Sequence, residues 1–331
     1  MNIGVNWSSP QHLPVVKALL KSGAASFCEI LIDNFLHLAP SQLRDVFADT
    51  PVAFHIMNSR FIQRDPEALA ALAARLKPFI ATLEPMYVSD HLAQFTCEGR
   101  LLPFIFELDY ERQFKETARK VELWQNLLEV SLHLENFPSA LDGGLAQPAF
   151  LARLSLRTGA SILFDFSNAV VAARNCGLGL EAWNSTIARS RHFHAAGYAL
   201  SDTQPPLVRD SHDGELAEDT LSFIKRSKKL LNGGGGRCSL VIERDSNVLE
   251  GSWAKAEKQL LSGLRDGETP LLNYLAAARA AQEQGQTEKR DEYLSLAHQH
   301  APEQGLAIGM LQAQLQFQAR QYERALASLA Q

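Results

Sequence analysis

Short runs of apolar, β-branched and aromatic residues recur along the first three-quarters of the chain, separated by amphipathic stretches. The runs are NIGVNW (2–7), FCEILID (27–33), VAFHIM (52–57), MYVSDHL (86–92), LHLENF (132–137), SILFDF (161–166), HFHAAGY (192–198) and SLVIERD (239–245), each with the length and make-up of a strand. Helical spacing is clearest from Pro66 to Leu83, where Leu69, Leu72, Leu76, Ile80 and Leu83 share a face. Further helices are predicted over about 10–22, 110–130, 147–158, 180–190 and 216–231. Eight strands alternating with helices over about 250 residues predict an α/β fold, a (β/α)8 TIM barrel. A doubly wound sheet would use the same alternation but rarely needs eight units.

After Trp253 the pattern changes. Residues 253–331 hold no strand-like run and read as successive helices rich in Ala, Leu, Gln and Glu, with Gly285 at a turn, Ala297 at a tight helix contact and Pro302 at a stop. The similarity between the passes recurs at about 34–35 residues, the period of tetratricopeptide hairpins. The chain therefore divides into a barrel over 1–250 and a small all-α helical-hairpin tail over 253–331. Barely two repeat units are present, and solenoids need more. The tail is thus expected to pack on the barrel, on a second copy of the chain in a homo-oligomer, or on a partner. The glycine run 233–236 lacks the following Lys-Ser/Thr of a phosphate loop and reads as a connection before the last strand.

Composition narrows the function. Lys and Arg number 32 against 37 Asp and Glu, a net charge of −5 with no basic stripe, which argues against a nucleic-acid partner. No apolar run approaches the ~20 residues that span a bilayer, so no membrane partner is expected. The start MNIGVNWSSP is no secretory signal, and the scattered Cys28, Cys97, Cys176 and Cys238 fit reduced thiols, so a cytoplasmic location is expected.

Active sites of TIM barrels lie at the C-terminal ends of the strands. The late positions of the strand-like runs carry His55, Asp90, His91, Glu135, Asn136, Asp165, His194, Glu243 and Asp245, with Asn168 just after the sixth run and Asp210, His212 and Asp213 in the loop after the seventh. Imidazoles and carboxylates converging without thiolates suit Fe, Mn or Zn. So many carboxylates repel one another unless cations neutralise them, and more than one ion does this better than one. His133 and His192 sit two residues earlier in their strands and read as ordinary core residues. No GxSxG, reactive-cysteine signature or GxGxxG after a strand is present.

In that order, YVSDHLAQF, LHLENF, ILFDFSNAVVAARNCG, HFHAAG, VRDSHD and VIERD resemble the multinuclear non-heme iron-dependent oxidase family over roughly residues 1–250. EILIDNFLHL and VAFHIMNSRFI look closer still to its methanobactin-biosynthesis branch, and the tail resembles HemY-type repeats. The resemblance implies a TIM barrel with two or three mixed-valent irons that uses O2 to oxidise cysteines of a ribosomally made precursor peptide into an oxazolone and a neighbouring thioamide. It also implies an MbnC-like partner protein and an MbnA-like, Cys-containing precursor with a leader. Carried over by position, the iron ligands would be His55, His91, Glu135, Asp165, His194, Asp210, His212 and Glu243, with Asn168 a further ligand position and Asp245 a candidate for handling substrate protons. Two positions depart from the pattern: Tyr198 where many relatives carry a second His, and Arg244 where they carry an aromatic residue. Two other functions share parts of this sequence: another divalent-metal TIM barrel of the sugar-isomerase or endonuclease IV type, and a non-enzymatic adaptor acting through the helical tail.

Overall fold

A computed structural model describes residues 1–245 except 98, 203, 205 and 232–237, together with 287–300 and scattered positions between 278 and 316. The strands are β1 (Asn2–Trp7), β2 (Phe27–Leu31), β3 (Val52–Ile56), β4 (Val88–His91), β5 (Gln94–Cys97), β6 (Arg100–Phe106), β7 (Leu132–Glu135), β8 (Ser161–Asp165), β9 (His192–Ala196), β10 (Tyr198–Leu200), β11 (Val208–Asp210) and β12 (Ser239–Glu243). Eight of them close a barrel in the order β1-β12-β9-β8-β7-β4-β3-β2, every pair parallel. The TIM barrel expected from the alternation is therefore the fold.

The helices between strands are α1 (Leu13–Lys21), α2 (Pro40–Phe47), α3 (Pro66–Leu83), α4 (Phe114–Leu128), α5 (Gln147–Thr158), α6 (Phe166–Cys176), α7 (Asn184–Arg189) and α8 (Glu218–Leu231). The start of α3 follows from local chemistry: the Asp65 carboxylate accepts from the Ala68 N–H at 2.9 Å, and Pro66 occupies the first turn, where no N–H is needed. Two helices differ from the pattern-based expectation. The short α2 helix has no counterpart in it, and α6 begins at Phe166, within a strand-like run. Every residue of α6 from Phe166 to Ala172 is buried, so it has no polar face to reveal a helical period.

Two antiparallel hairpins, β5–β6 and β10–β11, rise beyond the C-terminal ends of β4 and β9. Lower in the barrel, Phe27, Ala53, Tyr87, Leu163 and Val241 form an apolar plug. Gly4 is required there, because a Cβ would lie 2.4 Å from the Phe27 ring. Polar side chains above this plug are consequently cut off from water below.

In the tail, α9 (Thr287–His300) contributes Leu294 and Ala297 to a cluster with Ala278, Ile308 and Leu315, separate from the barrel's main core cluster. Ala297, expected at a close helix contact, is fully buried. The boundary at 250–253, Gly285 and the glycine run lie outside the described residues. Among the described residues no helix is long and apolar enough to cross a membrane.

Candidate metal centre

Parallel register sets the donors side by side at one end of the barrel: His91 pairs with Glu135, and Asp165 pairs with His194. His55, Glu135, Asp165, Asn168, His194 and Glu243 are each 4% exposed or less. Among the described residues three sets of donor atoms fall within 4.8 Å of one another: His55, His91 and Glu135; Glu135, Asp165, His194 and Glu243; and, deeper, Glu29, His55 and His194. Glu135 belongs to the first two, which is the arrangement a carboxylate shared by adjacent ions would require.

The imidazoles show how the site is built. His55 Nδ1 donates to Ser89 Oγ at 2.8 Å, since the Ser89 hydrogen goes to the Phe54 carbonyl. His91 Nδ1 faces the Ile56 carbonyl at 3.3 Å, which can only accept. His194 Nε2 donates to Glu29 Oε2 at 3.0 Å, and His212 Nδ1 to Asp245 Oδ2 at 3.1 Å. Each ring thus has one nitrogen held by an acceptor, the usual support of a metal-binding histidine.

The other nitrogen of each ring is aimed at carboxylates. His55 Nε2 and His91 Nε2 lie 3.6 and 3.1 Å from Glu135 Oε2. His194 Nδ1 lies 3.4 Å from Glu135 Oε1 and 3.0 Å from Glu243 Oε2. His212 Nε2 is 2.7 Å from Asp210 Oδ2 and 3.9 Å from Glu243 Oε2. A ring lone pair and a carboxylate oxygen approach this closely only with a cation, a proton or a metal, between them. Glu135 Oε2, Asp165 Oδ2, Asn168 Oδ1, Asp210 Oδ1 and Glu243 Oε2 are also buried without a hydrogen-bond partner, a costly state that coordination would relieve. The donor set therefore fits metal ions bound through nitrogen and oxygen.

The electrostatics carry the same signature. Burial opposes charge on His194 and His212, yet the carboxylates around them outweigh it and hold both rings well above the ordinary histidine range. Protons, the smallest cations available, thereby stand where a metal would. Burial, with Glu135 next in size, pushes Asp165 well up, and burial also raises Glu243. His55 goes the other way, to about 4, chiefly through burial.

Asp165 has a second duty: its Oδ1 caps α6 by accepting from the Asn168 N–H at 2.8 Å, leaving Oδ2 to the centre. The same turn brings Asn168 Nδ2 3.4 Å from Glu135 Oε1. Asp210 ends β11, and His212 follows in the left-handed region at φ 51°, a strained backbone of the kind found at functional sites. That loop is held from two sides. The His212 N–H donates to the Gly197 carbonyl at 3.1 Å, and a Cβ on Gly197 would meet the Gly214 carbonyl oxygen at 2.5 Å. Arg244, 2% exposed, donates to the Gly214 and Asp213 carbonyls at 2.9 and 3.1 Å.

Asp245 does not join the close-set donors. It sits behind His212 with its Oδ1 accepting from Asn6 Nδ2 at 2.9 Å. His133 and His192 lie in a lower layer, their ring centroids 4.9 Å apart against the Tyr87 ring, and burial pushes them down to about 3 and about 4. Tyr198, the first departure, points to the Asp219 carboxylate at 2.9 Å instead of toward the centre. Two residues bonded to the site's histidines have no place in the sequence-based set: Glu29 is fully buried and bonded to His194, and Ser89 stands behind His55. A carboxylate amid Phe27, Cys28, Ile30 and Leu31 is the one available signal for Glu29.

Comparison with known proteins places the fold and the family. The crystal structure of 3-keto-D-glucoside 4-epimerase from E. coli superimposes with a TM-score of 0.51 at 14% identity, covering 80% of this chain and 98% of that one. A Thermus thermophilus protein soaked with ZnCl2 gives 0.50 at 17% identity, covering 81% and 100%. At such identities the likeness shows the fold alone. A UPF0276 protein of Rhizorhabdus wittichii is 27% identical over 239 residues, 68% of this chain and 81% of the relative. One from a Caulobacter species is 31% identical over 198 residues, 58% and 70%. The profile of the HemY protein N-terminus matches only residues 246–285. The profile of the RiPP (ribosomally synthesised peptide) precursor modification enzymes matches residues 2–264. With its barrel and its buried array of imidazoles and carboxylates, the chain belongs to the MbnB/TglH/ChrH family of precursor modification enzymes.

Proposed function

We propose that this metal-dependent TIM-barrel enzyme is an iron- and O2-dependent oxidase of cysteine residues in a ribosomally made precursor peptide, of the methanobactin type that yields an oxazolone and a thioamide, acting with an MbnC-like partner protein. The observation that carries the metal reading is the set of imidazoles whose second nitrogens face otherwise unpartnered carboxylates. Membership of a family of peptide-modifying enzymes supports the substrate class. His55, His91, Glu135, Asp165, Asn168, His194, Asp210, His212 and Glu243 would hold the ions. When bound, iron would supply the electrons exchanged with O2 and favour the substrate sulfur as thiolate.

The protein's own side chains would do the rest. Glu135 holds the two halves of the site at a fixed spacing. The plug beneath keeps water from entering from below. Asp245 is 41% exposed while it orients His212. Burial would raise its carboxyl, but the His212 hydrogen bond leads the contacts that hold it below the usual range. It therefore stays ionised; held that low it is a weak base, so it would take up a thiol proton only where bound metal has already made the thiol acidic.

The test is anaerobic iron loading followed by O2 uptake with a Cys-containing peptide encoded in neighbouring genes. The Cys peptide should be oxidised, and its Cys→Ser version should not. Glu135→Ala should lower iron content and turnover together. Full activity of a zinc-loaded sample without O2 would refute the oxidase and favour chemistry of the sugar-isomerase type.

A further inference from the structure

Glu29 lies midway along β2, fully buried, beneath the donors described above. Its Oε2 accepts twice: from the Tyr87 hydroxyl at 2.7 Å and from His194 Nε2 at 3.0 Å. The second bond fixes the His194 tautomer. With Nε2 committed to the carboxylate, Nδ1 alone is left to face Glu135 and Glu243. His55 and His91 do the reverse, with Nδ1 anchored and Nε2 presented. A donor atom of Glu29 also lies within 4.8 Å of donor atoms of His55 and His194, so a ligand role has to be weighed. Glu29 Oε1 is itself buried without a hydrogen-bond partner, but His194 Nε2 is already satisfied by Oε2 of the same carboxylate, whereas its Nδ1 meets two carboxylates, Glu135 and Glu243, each with such an oxygen. Metal binding at His194 is favoured on the side where the unmet acceptors are more numerous and its own nitrogen is uncommitted.

We infer that Glu29 is a positioning residue of the metal centre: its carboxylate fixes His194 in the Nδ1-presenting tautomer and strengthens that nitrogen as a ligand, and Tyr87 holds the carboxylate in place. The inference rests on the metal-centre reading above. A full negative charge behind a ligating imidazole makes the ring a better donor, and removing such a partner weakens metal binding by about 10–100-fold. Asp245 behind His212 follows the same plan at the exposed end, but Glu29 does so in the dry interior, where a charge is less screened.

The experiment measures Fe(II) affinity anaerobically by chelator competition on the full chain. Glu29→Gln is isosteric and keeps an oxygen that accepts from both Tyr87 and His194, so the hydrogen bonds survive and only the charge is lost. It should bind Fe(II) about 10–100-fold more weakly while melting cooperatively without metal. Tyr87→Phe keeps the charge and removes only one of the two bonds that hold the carboxylate, so its loss of Fe(II) affinity should be well below that of Glu29→Gln. In zinc-loaded wild type, histidine-labelled NMR should show an exchange-protected, far-downfield His194 Nε2–H proton, moved upfield in Glu29→Gln because an amide oxygen accepts more weakly than a carboxylate. Equal affinities of wild type and Glu29→Gln would overturn the inference. So would a loss in Tyr87→Phe as large as in Glu29→Gln, which would assign the effect to packing. If the wild type itself binds no Fe(II), the metal-centre reading fails first and this inference with it.

Discussion

Raising the pH through neutrality should tighten iron binding by about two decades per unit, because two protons must leave before the metal can enter. His194 and His212 are held protonated by the carboxylates around them, and the nitrogens that would carry those protons are the ones that would ligate. Each proton displaced contributes about tenfold per pH unit, or about 1.4 kcal/mol. His55, pushed down to about 4, is already neutral and adds nothing. Asp165 and Glu243, raised by burial, add further protons as the pH falls toward their range, so the slope should steepen in acid. Above the range in which the two rings deprotonate, the dependence should flatten. Anaerobic competition titrations across neutral pH give the slope, and calorimetry in two buffers with different ionisation heats counts the protons released. Removing one of the two rings, as in His212→Ala, should lower the slope by about one. A pH-independent affinity, or proton uptake on binding, would refute the argument that protons stand in for the metal.

Arg244→Met removes the donors to the loop carbonyls of Asp213 and Gly214. Iron per chain, read by elemental analysis, should fall without reaching zero, because the strand-borne donors stay in place; unchanged iron would show that Arg244 does not secure the loop. Acid should destabilise the metal-free protein through the lower histidine layer. The unfolded chain takes up protons near pH 6.5, whereas folded His133 and His192 resist until about 3 and about 4. Stability from these rings is therefore present above 6.5 and lost as the pH falls, by at most about 1.4 kcal/mol per group per unit. Urea unfolding at neutral and mildly acidic pH should show a smaller acid loss in His133→Phe than in wild type, and equal losses would count against the assignment.

The barrel is legible in the sequence because each strand is a short apolar run and most intervening helices have one polar face. The α6 helix is not, because burial on all sides erases the periodicity that marks a helix. The hairpins β5–β6 and β10–β11 are hidden for another reason: they are short excursions from the rim, paired as separate two-stranded sheets outside the alternation of strand and helix. The donors are visible as polar residues at the late end of apolar runs, which polar side chains occupy only at a cost. Glu29 stands in mid-strand, where alternation normally sends a polar residue outward, and its apolar neighbours mark it as unusual without saying what it faces. Its role depends on Tyr87 and His194, 58 and 165 residues away in sequence. The anchors Ser89 and the Ile56 carbonyl belong to the same class, since a backbone carbonyl carries no side-chain signature at all.

His212, alone among the imidazoles of the centre, sits on a loop in left-handed backbone, pinned by Gly197 and Arg244. The centre consequently has two mechanical grades. Donors on β3, β4, β7, β8, β9 and β12 cannot separate unless the barrel opens, whereas Asp210 and His212 can withdraw through a local rearrangement of one short segment. Ion exchange should follow those grades: slow where the strands grip, fast at the loop, with occupancy of the loop side set by how much metal the surroundings supply. The site would then be a reservoir with one permanent tenant and one negotiable berth, and the berth is on the side open to whatever approaches the rim.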